Sequence, residues 1–418
     1  MRGRSILILV GCAIVTGCST HATTPQLSGF TGDRSPQVVQ KQPLQSGNWT
    51  WATIPHSGFK PDPGDLVSDG RRTIWVAARR NEIVSVAMNQ KVTVYPISFT
   101  PSELTVGPDQ NIWVAGNAPG YIASVTPTGT EVDHPIGSAQ TTNGPITVGP
   151  DSALWFAVTD TSSSGLGRMT TAGAYTYFSL FTSPGEGAAD VVSGPDGNLW
   201  VAVFPSSIHK VSTQGVDTAY TVVGNPVHIA VGADGALWFT EYASNSLDRI
   251  TTDGVVSSFS TPSTMFLLSL TSGPGAMLWL TEGDTQSIEG IVAFDPATSV
   301  FGQPIAYPTG DVTGIAEGPD RNIWVSADLE QVGTYVWLAM TVTPSHLVLS
   351  APGKSASIAV TETHYHGIWT AASSSKTIAT VTETSPGHFE VTAVGAGKCT
   401  ITISDTSHNF AHVGVVVQ

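Results

Sequence analysis

Between residues 66 and 330 the apolar positions fall in short runs that alternate with polar ones, and Gly, Asp or Pro closes each run. The clearest stretch reads Ile229-Ala-Val-Gly, Ala236-Leu-Trp-Phe-Thr-Glu241, Ser246-Leu-Asp-Arg-Ile-Thr and Val255-Val-Ser-Ser-Phe-Ser, with Asp234-Gly235 and Asp253-Gly254 between runs. Period-two alternation interrupted by Asp-Gly pairs, which supply the positive φ of tight hairpins, predicts four antiparallel strands. The phrase Gly-Pro-Asp-x-x-Leu/Ile-Trp recurs around Trp75, Trp113, Trp155, Trp200, Trp238, Trp279 and Trp324, at spacings of 38, 42, 45, 38, 41 and 45. A period near 40 with several short strands per unit matches a propeller blade, and the long 3.6-residue periodicity of helical repeats is absent. Each Trp is expected to pack between neighbouring blades. The turn residues Asp109, Asp151, Asp196, Asp234 and Asp320 are expected to shape the hairpins.

The seventh unit is one strand short, because after Trp324 the chain offers a third strand near Thr334-Tyr-Val-Trp-Leu-Ala and then leaves the pattern. Before the first unit lies Asn48-Trp-Thr-Trp-Ala-Thr-Ile54, an alternating segment with no unit of its own. Pairing it as the outer strand of the seventh blade would close the circle and remove an exposed edge. From Thr341 the repeat stops, and seven strand-like segments follow, beginning with Leu347-Val-Leu and ending with Val413-Gly-Val-Val-Val. These predict a sandwich. The expected fold is therefore all-β: a seven-bladed β-propeller over 48–340, then a β-sandwich over 341–418.

The first 17 residues have a different character. Arg2 and Arg4 precede the apolar run Ile6-Leu7-Ile8-Leu9-Val10, the layout of a secretory signal. The run ends at Val15-Thr16-Gly17-Cys18, which resembles the bacterial lipobox and implies lipidation of Cys18, with an ordinary signal and a chance Cys as the alternative. Ser19 rather than Asp resembles the outer-membrane sorting pattern of double-membrane bacteria. The expected location is extracytoplasmic, with the lipid as membrane partner. Residues 18–47, rich in Thr, Pro, Gln, Ser and Gly, read as a flexible tether. Removal of Cys12 and lipidation of Cys18 would leave Cys399 as the last thiol, in an apolar strand where a core role is expected.

Charge narrows the choice of partner. The 418 residues carry a net charge of -15, and residues 51–340 hold 10 Lys and Arg against 27 Asp and Glu. Such a surface repels nucleic acid and favours cationic or metal-bound ligands. A monomer is expected, with a small-molecule, peptide or surface ligand. His364 and His366 put two imidazoles on one strand face, a metal site only if a third ligand approaches.

Two resemblances add to this reading. Ile378-Ala-Thr-Val followed by Val391-Thr-Ala-Val-Gly-Ala-Gly-Lys-Cys-Thr-Ile-Thr-Ile resembles the bacterial Ig-like domains appended to surface proteins, which implies a spacing or adhesive module. Residues 66 to 330, and 232 to 251 most closely, resemble the streptogramin B lyase family of seven-bladed propellers. That resemblance implies Mg²⁺-dependent carbon-oxygen elimination on a cyclic depsipeptide ester, with His at the start of inner strands and Glu at the end of Trp-bearing strands. The third position after each repeat Trp is Ala78, Gly116, Val158, Val203, Glu241, Glu282 and Ala327, so carboxylates stand only in the fifth and sixth blades. Glu241 and Glu282 are the candidate metal ligands. The family's His positions hold Val227 and Leu268, and His228, one residue out of register, would need a local bulge to serve as base. Two functions thus stand side by side: a ligand- or partner-binding surface scaffold, and a metal-dependent lyase.

Overall fold

The computed structural model describes residues 37–39, 44–46, 49–54, 62–79, 81–142, 144–161, 163–242, 244–261, 265–283, 288–308, 311–327, 331–336, 340–362, 369–404 and 410–418. The signal, Cys18 and the histidines 364 and 366 lie outside them. The chain divides into two compact units, Met1–Val336 and Trp337–Gln418, four residues before the expected boundary. Among the described residues one 3-10 turn, Pro274–Ala276, is the sole helical element, and no helix is long and apolar enough to cross a membrane.

The first unit is a ring of seven four-stranded antiparallel blades. Their inner strands are Asp62–Ser68, Pro101–Val106, Ile146–Val148, Gly187–Ser193, Pro226–Val231, Phe266–Ser272 and Val312–Glu317. Each inner strand neighbours the next, and the seventh returns to the first. The fifth blade is built as expected, with Phe239 opposite Ile229, Leu237 opposite Ile250 and Ile250 opposite Val256.

Every repeat Trp is buried. Trp75 packs with Leu104, Ile112 and Val114 of the second blade, and Trp238 packs with Leu278 and Leu280 of the sixth. Trp324 packs with Leu66, Ile74 and Val76 of the first, so the same contact closes the ring. The repeat Asp does more than shape its turn. In five blades its Oδ1 accepts the indole N–H four residues on, at 3.0 Å, from Trp113, Trp155, Trp200, Trp238 and Trp324. Gly149 and Gly318 sit against the indole edges, and a Cβ there would collide with the Trp155 or Trp324 ring. Asp151 and Asp234 also hold Arg168 and Arg249, at 2.6 and 2.7 Å. Burial raises these two carboxyls, but the Trp and Arg bonds outweigh it and hold both below the usual range.

The closure strand behaves as the sequence suggests. Trp49–Thr53 runs antiparallel to Gln331–Tyr335, with Trp49 opposite Tyr335 and Thr53 opposite Gln331. Ala52 and Ile54 enter the apolar cluster shared by the seventh and first blades, and the Trp49 indole donates to the Ala306 carbonyl at 3.1 Å. Two short strands fall within the segment 18–47 that was expected to be a tether. Gln37–Val39 pairs with the outer strand of the first blade and Leu44–Ser46 with the closure strand, so strand structure begins by residue 37. Backbone groups at two outer edges are satisfied by this stretch, which composition alone did not mark.

The second unit is a sandwich of two four-stranded sheets. Seven strands match the expected segments, and Met340–Thr343 supplies the eighth. Val342, Ile358, Phe389, Val391, Ile401 and Val415 fill its core, and Cys399 is buried with them as a core residue.

Because the closure strand buries Trp49, Trp51 and Ile54, removing residues 1–54 should lower the propeller's melting temperature by roughly 10 °C, from about 1.5–3 kcal/mol per buried large side chain. A chain ending at residue 336 should melt within a few degrees of the parent. Differential scanning calorimetry of the two truncated chains checks this, and equal losses would contradict closure from the N-terminus.

Candidate functional site

Four ionisable side chains occupy one column of the repeat. Asp65, Glu103, Asp190 and His228 each stand ten residues before a repeat Trp, in the inner strands of the first, second, fourth and fifth blades. Pro145, Ser269 and Gly314 hold the column in the other blades. Strand register slips at each of the four positions, between Pro63 and Leu66, Pro101 and Glu103, Ala188 and Asp190, and Pro226 and Ile229. A bulge of this kind re-aims a side chain and frees backbone N–H groups. The bulge that His228 required is present.

The freed N–H groups find carboxylates on the preceding blade. Asp190 accepts from Ile229 N at 2.9 Å and from its neighbour Val191 N at 2.7 Å. Glu103 likewise accepts from the backbone of Ile146 in the third blade. His228 Nδ1 lies 3.7 Å from Asp190 Oδ2. These bonds tie neighbouring inner strands, yet they do not balance the charge. Burial and the Asp190 charge push the Asp65 carboxyl up to about 7, against the pull of the Leu66 N–H and His228. Burial, Asp65 and Asp190 push Glu103 well above the carboxylate range. The column is therefore a place where buried acidic groups are crowded.

Sequence reasoning missed Asp65, Glu103 and Asp190. The signal was available: an ionisable residue at a fixed offset from the Trp in four of seven blades, inside otherwise apolar strands.

Glu241 and Glu282 end the second strands of the fifth and sixth blades, as expected, and both are buried, at 7% and 4% exposure. Each has its acidic neighbour on its own blade. Burial and Asp248 push Glu241 up to about 7, and a Cβ on Gly224 would collide with its carboxylate. Burial and Glu289 push Glu282 up to about 7. The charges that His228 meets are those of Asp190, 3.7 Å away, and Asp65. Among the described residues no three His, Cys, Asp or Glu side chains gather to hold a metal ion.

The matrix of strands around these residues has known relatives. A model of the virginiamycin B lyase family matches residues 49–335, from the closure strand to the last strand of the seventh blade. The chain belongs to the virginiamycin B lyase family. Its propeller is similar to selenomethionine-substituted virginiamycin B lyase from Staphylococcus aureus, with 23% identity and a TM-score of 0.60, over 68% of this chain and 98% of that one. A catalytically inactive variant of the Staphylococcus aureus enzyme with quinupristin gives 22%, 0.59, 68% and 98%. The extracellular domain of a hybrid two-component system from B. thetaiotaomicron gives 14% and 0.55, over 90% of this chain and 60% of that one. No match is found among curated proteins. At these identities the solved structures establish the shared fold. Within the virginiamycin B lyase family pattern, the positions expected to hold His are Val227 and Leu268, in the inner strands of the fifth and sixth blades. The Leu268 carbonyl accepts from Thr240 Oγ1 at 2.6 Å.

Raised carboxyls fix the pH dependence of the propeller. Folded Glu241 and Glu282 keep their protons up to about pH 7, whereas an unfolded glutamate releases its proton near 4.5. Between those values the folded state binds more protons, so stability is full on the acid side and falls as pH rises through 7. The melting temperature should be higher at pH 5 than at pH 8, with a flatter profile in the Glu241→Gln, Glu282→Gln double variant. Thermal melts across that range check this, and a profile that rises toward pH 8 contradicts it.

Proposed function

We propose that this protein is a lipid-anchored, extracytoplasmic binding scaffold whose propeller receives a cationic group of its ligand at the axis, with the C-terminal sandwich acting as an Ig-like spacer or adhesive module. The observation that carries the reading is the column Asp65, Glu103 and Asp190, where burial and the neighbouring charges push Asp65 and Glu103 upward against what the N–H groups and His228 offset. A bound cation offsets those charges directly. The acidity of residues 51–340 draws such ligands in. The charged-then-apolar run before Cys18 supports the anchor, with the outer membrane as its place in a double-membrane bacterium. Two or more acyl chains would hold the protein there, since a single chain binds only marginally.

The second reading is a lyase acting on a cyclic depsipeptide ester. It is favoured by family membership and by the two buried glutamates, and it requires His228 to serve as base although Asp190 faces that ring. In this reading Mg²⁺ would have to be held by Glu241 and Glu282 alone.

One assay separates the two. Purified protein incubated with quinupristin, with and without Mg²⁺, should leave the ring closed. Arginine amide should bind by calorimetry, with affinity about tenfold lower in Asp65→Asn, equivalent to about 1.4 kcal/mol. Mg²⁺-dependent ring opening that is lost in His228→Ala would establish the lyase instead.

A further inference from the structure

The sixth blade carries a pocket of about 160 Å³ lined by Met265, Glu282, Glu289, Pro304 and Ala306. Glu282 is its buried member, at 4% exposure, whereas Glu289, Pro304 and Ala306 are exposed and form the rim. The Oε2 atom of Glu282 is buried and has no hydrogen-bond partner. An unmet carboxylate oxygen carries the full cost of its lost hydration, which a folded protein ordinarily offsets with a donor. On the same strand Thr281 Oγ1 does have one, the Ser269 N–H at 3.0 Å.

The lining explains what kind of ligand fits. With both glutamates ionised, none of the five side chains has an N–H or O–H to offer, and Pro304 has no backbone N–H either. The donors must come with the ligand, and two carboxylates require that it be positive. Met265, Pro304 and Ala306 supply apolar wall, which matches a hydrocarbon stem rather than the water shell of a metal ion. A divalent cation would need six or more oxygen ligands, and among the described residues no three acidic or imidazole groups gather around one point. The volume is near that of the engineered cavity of about 150 Å³ that admits benzene, so a short alkyl chain with its terminal nitrogen fits.

We propose that this pocket receives a primary alkylammonium group, its nitrogen bonded to Glu282 at the floor and attracted by Glu289 at the rim, and its stem lying against Met265, Pro304 and Ala306. The site is distinct from the axial column and stands whether or not the axial reading does. The same chemistry is carried by a free alkylamine and by a lysine side chain.

The test uses the full chain and n-butylammonium, titrated at pH 8 by calorimetry, with n-butanol as the uncharged match in shape. Nα-acetyl-lysine methylamide distinguishes a peptide source from a free amine by binding more tightly than n-butylammonium or failing to bind. The expected result is one equivalent of n-butylammonium bound, with no binding of n-butanol and an affinity reduced tenfold or more in Glu282→Gln. Ala306→Phe, at an exposed position, should block entry while the melting temperature is kept, so the test does not depend on how Glu282→Gln folds. Unchanged affinity in Ala306→Phe, equal binding of n-butanol, or displacement of n-butylammonium by millimolar Mg²⁺ would overturn the proposal. Affinity lost in Asp190→Asn but kept in Glu282→Gln would assign the amine to the axis and overturn it as well.

Discussion

In five of the seven blades the bond from the repeat indole to the aspartate four residues before it sets the local geometry of the ring. A Trp that packs on the next blade must bury its N–H, and without an acceptor that group would cost about 1–3 kcal/mol. The turn Asp accepts it at 3.0 Å in five blades, and the glycine two residues before each of those Asp residues leaves space for the ring edge. One short phrase therefore makes the hairpin, orients the large apolar surface and satisfies its polar atom. Because each blade rests its Trp on its successor, the last contact, Trp324 on Leu66, Ile74 and Val76, follows the same rule as the others. In the sixth blade Gly275 stands at the Asp position, and a 3-10 turn replaces the hairpin geometry.

Seven inner strands held in this way crowd their backbones around one axis. Bulges there free N–H groups, and carboxylates of the preceding blade answer them at Ile146 and Ile229. The tie between strands and the excess of axial charge have the same origin. Glu103 and Asp190 each secure a neighbouring strand, and each brings a charge to the column. Burial first, and these neighbouring charges second, make Asp65 and Glu103 hold protons at a pH where ordinary carboxyls have lost them. A group that bound there in place of those protons would stabilise the ring by the same linkage.

Much of the fold was legible because Trp, Asp and Gly recur with mechanical meaning. The seven Trp residues marked the blades, and the alternation at Asn48–Ile54 identified the closing strand. The strands at Gln37–Val39 and Leu44–Ser46 were not legible, since their residues carry no apolar period and the sheet edges they join lie elsewhere in the chain. At the site, Glu241 and Glu282 were found by their offset from Trp, but an offset does not say which face a side chain takes. They occupy equivalent places one blade apart, and each meets the acid of its own third strand, Asp248 or Glu289. His228 showed the converse. Strict alternation points it away from its register neighbour's direction, and the bulge between Pro226 and Ile229 sets it near Asp190. Bulges are tertiary compromises, and one chain read alone marks them poorly.

The central claim is that burial, with the Asp190 charge added to it, pushes the Asp65 carboxyl on its inner strand up to about 7. Carboxyl-carbon NMR of selectively labelled aspartate, titrated from pH 4 to 9 in the parent and in Asp190→Asn, measures this directly. The account predicts that Asp65 titrates at about 7 in the parent and moves down toward its ordinary 3.8 when the Asp190 charge is removed. An Asp65 that titrates near 3.8 in both proteins would contradict it.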